Sequence, residues 1–132
     1  MGSYLWVAVG SALGGMARHW CTEAVLARFT DPFPLGTVLI NILGSFVIGF
    51  FGTLTAPNGL VPIGLEGRLF VMVGICGGYT TFSSFSLQTL MLMQSGDWAR
   101  ASLNVLLSVA LCLVAVGLGV AAASALNALR GA

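Results

Sequence analysis

Four long apolar stretches, joined by short polar turns, occupy almost the whole chain. They run from about residue 4 to 27, 35 to 56, 68 to 94 and 98 to 129. A helix needs about 20 mostly apolar residues to cross the hydrocarbon core of a bilayer, and each stretch has that length. Only 7% of the residues are charged, against roughly 25% in an average soluble domain. The sequence therefore predicts an all-α membrane protein, with residues 1–132 forming one domain of four transmembrane helices in a lipid bilayer.

The few ionisable residues argue against several functional classes. A net charge of +1 offers no basic face for a nucleic acid. The single histidine, His19, lies beside Arg18, and no acidic residue lies at the centre of a crossing. Neither a nucleophile–base pair nor a buried proton-carrying carboxylate is therefore predicted. The three cysteines lack CxxC spacing, which is typical of small buried apolar residues. We expect that the protein is not an enzyme.

The arginines give the four crossings no clear orientation. Arg68 and Arg130 would lie on one side of the membrane, and Arg28 and Arg100 on the other, with Arg18 nearer the second pair. An excess of Lys and Arg in the cytoplasmic loops normally determines the topology of a membrane protein. Here the two sides are nearly balanced and the chain has no Lys. This balance indicates that the chain inserts in both orientations.

Glycines four residues apart occur in the first and third crossings. The pairs are Gly10 with Gly14 and Gly74 with Gly78. This spacing places two glycines on one helix face and permits close approach of a second helix.

The third crossing contains the unusual sequence GGYTTFSSFS, residues 77–86. Two glycines followed by a cluster of hydroxyl groups predict a break in the helix between Gly77 and Phe82. A break at this depth frees carbonyls that coordinate a cation, together with amides and hydroxyls that approach an anion. The alternative is an unbroken glycine-rich packing face whose hydroxyl groups bond to their own helix.

Neutral polar and aromatic side chains line up along three of the crossings. Phe82 and Phe85 share a helix face, and the electropositive edges of their rings favour an anion. The polar residues form thin stripes: Thr37, Asn41, Gly44 and Ser45 on the second crossing, Thr81, Ser84 and Gln88 on the third, and Asn104, Ser108 and Cys112 on the fourth. Neutral hydrogen-bonding groups of this kind suit a narrow hydrated path better than a catalytic site.

Three motifs in order resemble those of the Fluc/CrcB family of fluoride channels. They are GGMAR at residues 14–18, GTVLIN at 36–41 followed by Gly44, and the long motif at 77–86, which is the most specific. The resemblance covers nearly the whole chain. It implies a fluoride-selective channel in the bacterial plasma (inner) membrane that passively exports cytoplasmic fluoride and protects the cell from its toxicity. It also implies an antiparallel, dual-topology homodimer with two pores.

The resemblance also implies roles for individual residues. Asn41, Phe82 and Phe85 correspond to residues that line the fluoride pore, with further hydroxyl contacts from Thr81, Ser84 and Ser108. Arg18 corresponds to an arginine near the pore vestibule. The backbone carbonyls of Gly77 and Thr80 correspond to those that hold a structural sodium ion at the centre of the dimer. This sequence has Ser84 where Thr is common, Gln88 where many relatives have Glu, and Cys112 where Ser is frequent.

Two other functions compete with this interpretation. A small dual-topology multidrug or cation exporter also has four helices, but it depends on a carboxylate embedded in the membrane, and Glu23 lies near the end of its crossing. A structural or accessory membrane protein would carry out no transport after purification.

Overall fold

Helices are the regular elements of residues 2–129, the part of the chain that the computed structural model describes. Arg130, one of the arginines in the charge balance, lies outside these residues. The elements in chain order are α1 (Gly2–Leu26), α2 (Leu35–Leu54), α3 (Leu65–Arg68), a π-helix (Leu69–Cys76), α4 (Gly77–Tyr79), α5 (Phe82–Gln94) and α6 (Trp98–Leu129). The third crossing comprises every element from α3 to α5. It begins three residues before its predicted start, because Gly64 is extended and the helix starts directly after it.

Three helical segments between residues 2 and 129 are long and apolar enough to cross a membrane. They are α2, the combined segment Leu65–Gln94, and α6. Helix α1 has 25 residues, which corresponds to about 37 Å. Its second half carries Arg18, His19 and Glu23, which lower its hydropathy. The crossing of α1 therefore remains a prediction, whereas three spans agree with the sequence analysis.

Side-chain contacts define the two ends of the helical bundle. At the first, called the Asp31 end, Arg100 Nη2 lies 3.4 Å from Asp31 Oδ2 and joins the turn after α1 to the start of α6. Asp97 caps α6, because its Oδ1 accepts the Arg100 N–H at 3.1 Å. At the other, called the Asn127 end, Asn127 accepts the Leu60 N–H at 2.7 Å. These contacts place alternate turns of the chain at opposite ends.

Glycines bring the backbone of α1 against the first half of the third crossing. A Cβ atom at Gly14 would collide with the carbonyl oxygen of Ile75, and one at Gly74 would lie 2.8 Å from the Cα of Gly10. Gly78 is equally close to the backbone of Ser11. The four-residue glycine spacing thus produces the close helix contact that the sequence predicts.

Helices α2 and α6 form the other main packing pair. A Cβ at Gly49 would meet the Val116 carbonyl oxygen, and one at Gly119 would meet that of Phe46. The third crossing connects the two pairs, because its first half packs on α1 and its second half, α5, packs on α6.

Candidate functional site

The helix of the third crossing breaks near its middle. Helix α4 ends at Tyr79 and α5 begins at Phe82, while Thr80 and Thr81 are both extended, with ψ angles of 158° and 108°. This confirms the predicted break and excludes the unbroken packing helix. The break interrupts the helical ladder deep in the segment, so its backbone groups need other partners.

Asn41 of α2 supplies partners for both backbone groups of Thr81. Its Oδ1 accepts the Thr81 N–H at 2.8 Å, and its Nδ2 donates to the Thr81 carbonyl oxygen at 3.2 Å. The side-chain amide therefore pairs with the extended residue as a neighbouring peptide group would. Because Nδ2 carries two hydrogens, one donor of Asn41 remains after this exchange.

Thr81 also caps the second half of the crossing. Its hydroxyl oxygen accepts the Ser84 N–H at 3.2 Å, which is the bond expected of an N-cap threonine. The same hydroxyl donates to Ser84 Oγ at 3.0 Å and lies 3.2 Å from Ser83 Oγ. The three hydroxyl groups thus form one cluster at the start of α5.

The break releases a carbonyl at the end of the first half. In a continuous helix, the Thr81 N–H would donate to the carbonyl of Gly77. It donates to Asn41 instead, so the Gly77 carbonyl loses that partner. A Cβ atom at Gly77 would have no neighbour within 4 Å, so the backbone here is accessible from the side. A freed and accessible carbonyl fits the predicted ligation of a cation by Gly77 and Thr80.

An open groove of about 420 Å³ runs along the break. Seven predicted site residues lie along it: Asn41, Gly77, Thr80, Thr81, Phe82, Phe85 and Ser108. Ser84 does not line it; its hydroxyl oxygen accepts a hydrogen bond from Thr81. The structure therefore brings together side chains from α2, α5 and α6 that are far apart in the sequence.

The two phenylalanines of the groove differ in their environment. Their ring centroids are 5.2 Å apart and the ring planes are inclined at 45°. Phe85 is only 9% exposed, whereas Phe82 is 77% exposed. Phe85 is thus fixed within the subunit, and Phe82 projects from its surface at the rim of the groove.

The polar stripe of α6 divides into a buried and a groove-lining part. Asn104 is completely buried and donates to Thr89 Oγ1 at 2.8 Å. Ser108, one turn further along, donates to Asn104 Oδ1 at 3.4 Å and lines the groove with Cys112. Asn104 therefore holds α6 against α5, while Ser108 offers its oxygen to the groove.

A smaller cavity of about 160 Å³ lies at the Asp31 end. Thr37 and Gln88, both predicted members of the polar stripes, lie along it. The Oε1 atom of Gln88 is buried and accepts no hydrogen bond from residues 2–129. Gln88 and Thr37 thus face a separate cavity, away from the break.

Arg18, predicted near the vestibule, lies in the last third of α1 and is partly exposed. It lines neither cavity. Within residues 2–129, its guanidinium forms no ion pair or hydrogen bond; the one side-chain group bonded to this residue is the Thr22 hydroxyl, which donates to its backbone carbonyl at 2.9 Å. Its charge therefore stays unpaired towards the Asp31 end.

Comparison with known proteins identifies the group to which this arrangement belongs. Residues 5–120 match the family model described as "CrcB-like protein, Camphor Resistance (CrcB)". The chain belongs to the CrcB family. The match includes all the residues of the groove.

Curated relatives in the CrcB family match this chain almost from end to end. The chain is 57% identical over 129 residues to a protein of Methylocella silvestris, with 98% of each chain covered. It is 54% identical over 131 residues to one of Opitutus terrae, with 99% of each covered. A protein of Paramagnetospirillum magneticum is 54% identical over 125 residues, which cover 95% of this chain and 98% of the relative. All three are named "Fluoride-specific ion channel FluC".

Sequence reasoning missed part of the CrcB groove. Met72 and Cys76 line it from the π-helix, and Ile48 lines it from α2. Met72, Cys76 and Thr80 are spaced by four residues, a signal that could have placed them on one face. Met72, Cys76 and Ile48 have apolar side chains, which in a membrane helix are equally typical of packing or lipid-facing positions.

Proposed function

We propose that this protein is a fluoride channel of the bacterial inner membrane, and not an enzyme. It would let fluoride leave the cytoplasm passively. HF crosses membranes as a neutral acid and dissociates inside the cell, so a path for the anion lowers the internal concentration without ATP. One observation carries the proposal: the break in the third crossing brings Asn41, Phe82, Phe85 and Ser108 to a single groove. The name shared by the close relatives supports the same conclusion.

The chemistry of the groove suits a small anion. Fluoride holds its water strongly, so a path must replace that water with several donors at once. The second amide hydrogen of Asn41 is one such donor, and the Ser108 hydroxyl would become another by turning its hydrogen from Asn104 Oδ1 into the groove. The ring edges of Phe82 and Phe85 add electropositive surface without a formal charge. Among residues 2–129, none of those that line this groove carries a carboxylate, so no formal negative charge there repels an anion.

The two half-helices contribute opposite dipole ends. Helix α5 directs its N-terminal amides towards the break, and a helix N-terminus favours negative charge. The preceding half ends in carbonyls at the same place, which favour a cation. The carbonyls of Gly77 and Thr80 would hold a structural sodium ion, and its positive charge would favour fluoride nearby.

One subunit lines only one side of the proposed path. Phe82, Val109 and Leu113 line it but are more than half exposed. A second copy of the chain packed over this face would close the path. We therefore assign the functional unit to an antiparallel homodimer, with a groove in each subunit and sodium at its centre.

The membrane arrangement follows from the packing. Helix α1 lies along the third crossing and has sufficient length, so it would form the fourth span. Arg18 would then lie near the mouth of the path at the Asp31 end. The near balance of arginines supports insertion in both orientations, which an antiparallel dimer requires.

Fluoride efflux from liposomes containing the purified protein tests this function. We expect release of fluoride and retention of chloride, followed by at least a tenfold loss of flux in Phe82→Ile. Phe70→Ile removes a ring that packs on Trp6, away from the groove, and its flux should stay within twofold of the wild type. Retention of both fluoride and chloride by the wild type would eliminate the channel.

A further inference from the structure

Arg68 lies at the Asn127 end of the groove and is held there by the last turn of α2. Its Nη1 donates to the Gly52 carbonyl oxygen at 3.0 Å and to Thr55 Oγ1 at 3.0 Å. Thr55 is buried and donates its own hydroxyl hydrogen to Phe51. The position of the guanidinium is therefore determined by two oxygens on a neighbouring helix, unlike that of a free surface arginine.

The groove begins one helical turn along the chain from Arg68 and one turn from Gly52, whose carbonyl Arg68 binds. Met72 and Ile48 are the groove-lining residues nearest the Asn127 end on their helices. Arg68 precedes Met72 by four residues, and Gly52 follows Ile48 by four. Residues four apart are neighbours on a helix surface, and a Cβ at Gly52 would lie 2.9 Å from the Met72 methyl group. Arg68 thus lies beyond the Asn127 end of the groove, the end that is farther from Asn41.

The charge of Arg68 is not neutralised by residues 2–129. Its two hydrogen bonds go to neutral oxygens, and no carboxylate in this range lies within 4.0 Å of it. Glu66, two residues away, approaches the first residue of α1 instead, since a Cβ at Gly2 would lie 3.2 Å from its Oε1. By contrast, Arg100 at the Asp31 end is paired with Asp97 and Asp31.

We propose that Arg68 attracts fluoride into the Asn127 end of the groove and thereby raises the rate of anion entry. This inference rests on the proposed channel function. A fixed positive charge beside a narrow low-dielectric path concentrates anions at its mouth. The same guanidinium also satisfies a carbonyl at the C-terminus of α2, where a cation is favourable. The two roles respond differently to salt, because only the attraction of distant ions is screened.

Flux measured at two ionic strengths separates these roles. The Debye length is about 30 Å at 10 mM and about 3 Å at 1 M. In Arg68→Gln, the side chain retains a donor for Gly52 but lacks charge. We expect its fluoride flux to be about three- to tenfold below the wild type at 10 mM and less than twofold below it at 1 M. Arg68→Lys should restore most of the flux at 10 mM, and the matched control Arg100→Gln should resemble the wild type at both.

A second pair of variants leaves Arg68 in place. Leu65 is exposed and lies three residues before it, so Leu65→Glu would put a carboxylate beside the guanidinium. We expect Leu65→Glu to lower the flux at 10 mM by at least twofold and Leu65→Gln to leave it unchanged. This pair keeps the test valid if Arg68→Gln does not fold.

Three results would overturn the proposal. They are equal loss in Arg68→Gln at both salt concentrations, a low-salt flux in Arg68→Lys as small as in Arg68→Gln, and equal flux in the two Leu65 variants. Any of these, in the presence of wild-type fluoride flux, rejects the role of Arg68 alone. Absence of flux in the wild type rejects the channel function as well.

Discussion

The two halves of the third crossing are positioned by different kinds of contact. The first half, residues 65–79, lies against α1 through glycine backbones that approach without side chains between them. The second half, α5, is held by hydrogen bonds: Thr81 caps its first turn, and Thr89 accepts a bond from Asn104 of α6. Apart from the bonds of Arg68 to α2 and of Tyr79 to Cys21, the first half is thus positioned by shape, and the second by polar pairing.

This difference explains how the groove is assembled. The shape-positioned half presents the carbonyl of Gly77 and the side chains of Met72 and Cys76. The hydrogen-bonded half presents Phe82 and Phe85. Because the break separates the halves, the backbone of one and the aromatic rings of the other can each face the groove.

The largest expected effect comes from disturbing the shape-positioned half. In Gly14→Ala, the new methyl group collides with backbone atoms of Ile75 and Tyr79, which cannot rotate away. We expect the free energy of unfolding to fall by about 3 kcal/mol. Thermal or SDS-induced unfolding of the purified protein measures this loss.

Gly15→Ala provides the matched control for that substitution. A Cβ at Gly15 has no neighbour within 4 Å, and alanine is a better helix former than glycine by about 0.5–1 kcal/mol. It should therefore be neutral or stabilising. Equal destabilisation by the two variants would contradict placement by close packing.

A smaller effect is expected from the hydrogen-bonded half. Thr89→Val leaves the Nδ2 group of buried Asn104 without its acceptor. We expect the free energy of unfolding to fall by about 1 kcal/mol. Asn104→Leu removes the donor. The double variant Thr89→Val/Asn104→Leu should therefore lose less free energy of unfolding than the two single variants lose together, with a coupling energy of about 0.5–1.5 kcal/mol.

The control for this cycle is Ser102→Ala. Ser102 is exposed on α6, so we expect Ser102→Ala to change the free energy of unfolding by less than about 0.5 kcal/mol. Additive losses in Thr89→Val and Asn104→Leu would mean that the bond between them does not hold α5 on α6.

The smallest effect concerns the turn that ends the hydrogen-bonded half. The side-chain and backbone N–H groups of Arg100 donate to Asp97 and lower the pKa of its carboxyl group. A lowered pKa in the folded state means that the carboxylate stabilises the protein above about pH 4 and loses this effect as the pH falls through the lowered pKa. Asp97→Asn should therefore have a lower Tm than the wild type at pH 7, and the gap should narrow below pH 4.

Glu66→Gln serves as the control, because Glu66 is exposed at the other end and forms no ion pair within residues 2–129. Its Tm should differ little from the wild type at either pH. If the difference in Tm between Asp97→Asn and the wild type is constant from pH 7 to pH 3, a contribution from the charge of Asp97 is excluded.

Much of the architecture could be predicted because it depends on local patterns. Apolar length predicted three of the crossings, glycine spacing predicted the contact of α1 with the third crossing, and the motif at 77–86 predicted the break. Each of these signals lies within a few consecutive residues.

Features that depend on distant residues could not be predicted. Asn41 was expected to face a pore, yet its exchange with Thr81, 40 residues away, follows only from how α2 and the broken helix pack. The bond of Arg68 to Gly52 is another such contact. The π-helix, Leu69–Cys76, could not be predicted from the apolar pattern, because its segment is hydrophobic on every side and shows no periodicity.

A break in a helix usually acts as a hinge, because unpaired backbone groups leave the two pieces free to bend. Here both backbone groups of Thr81 are bonded across to one side chain of α2. Bending at the break would have to rupture both bonds together. The joint in the third crossing is therefore rigid, and the spacing between its carbonyls and its aromatic rings remains constant as ions pass.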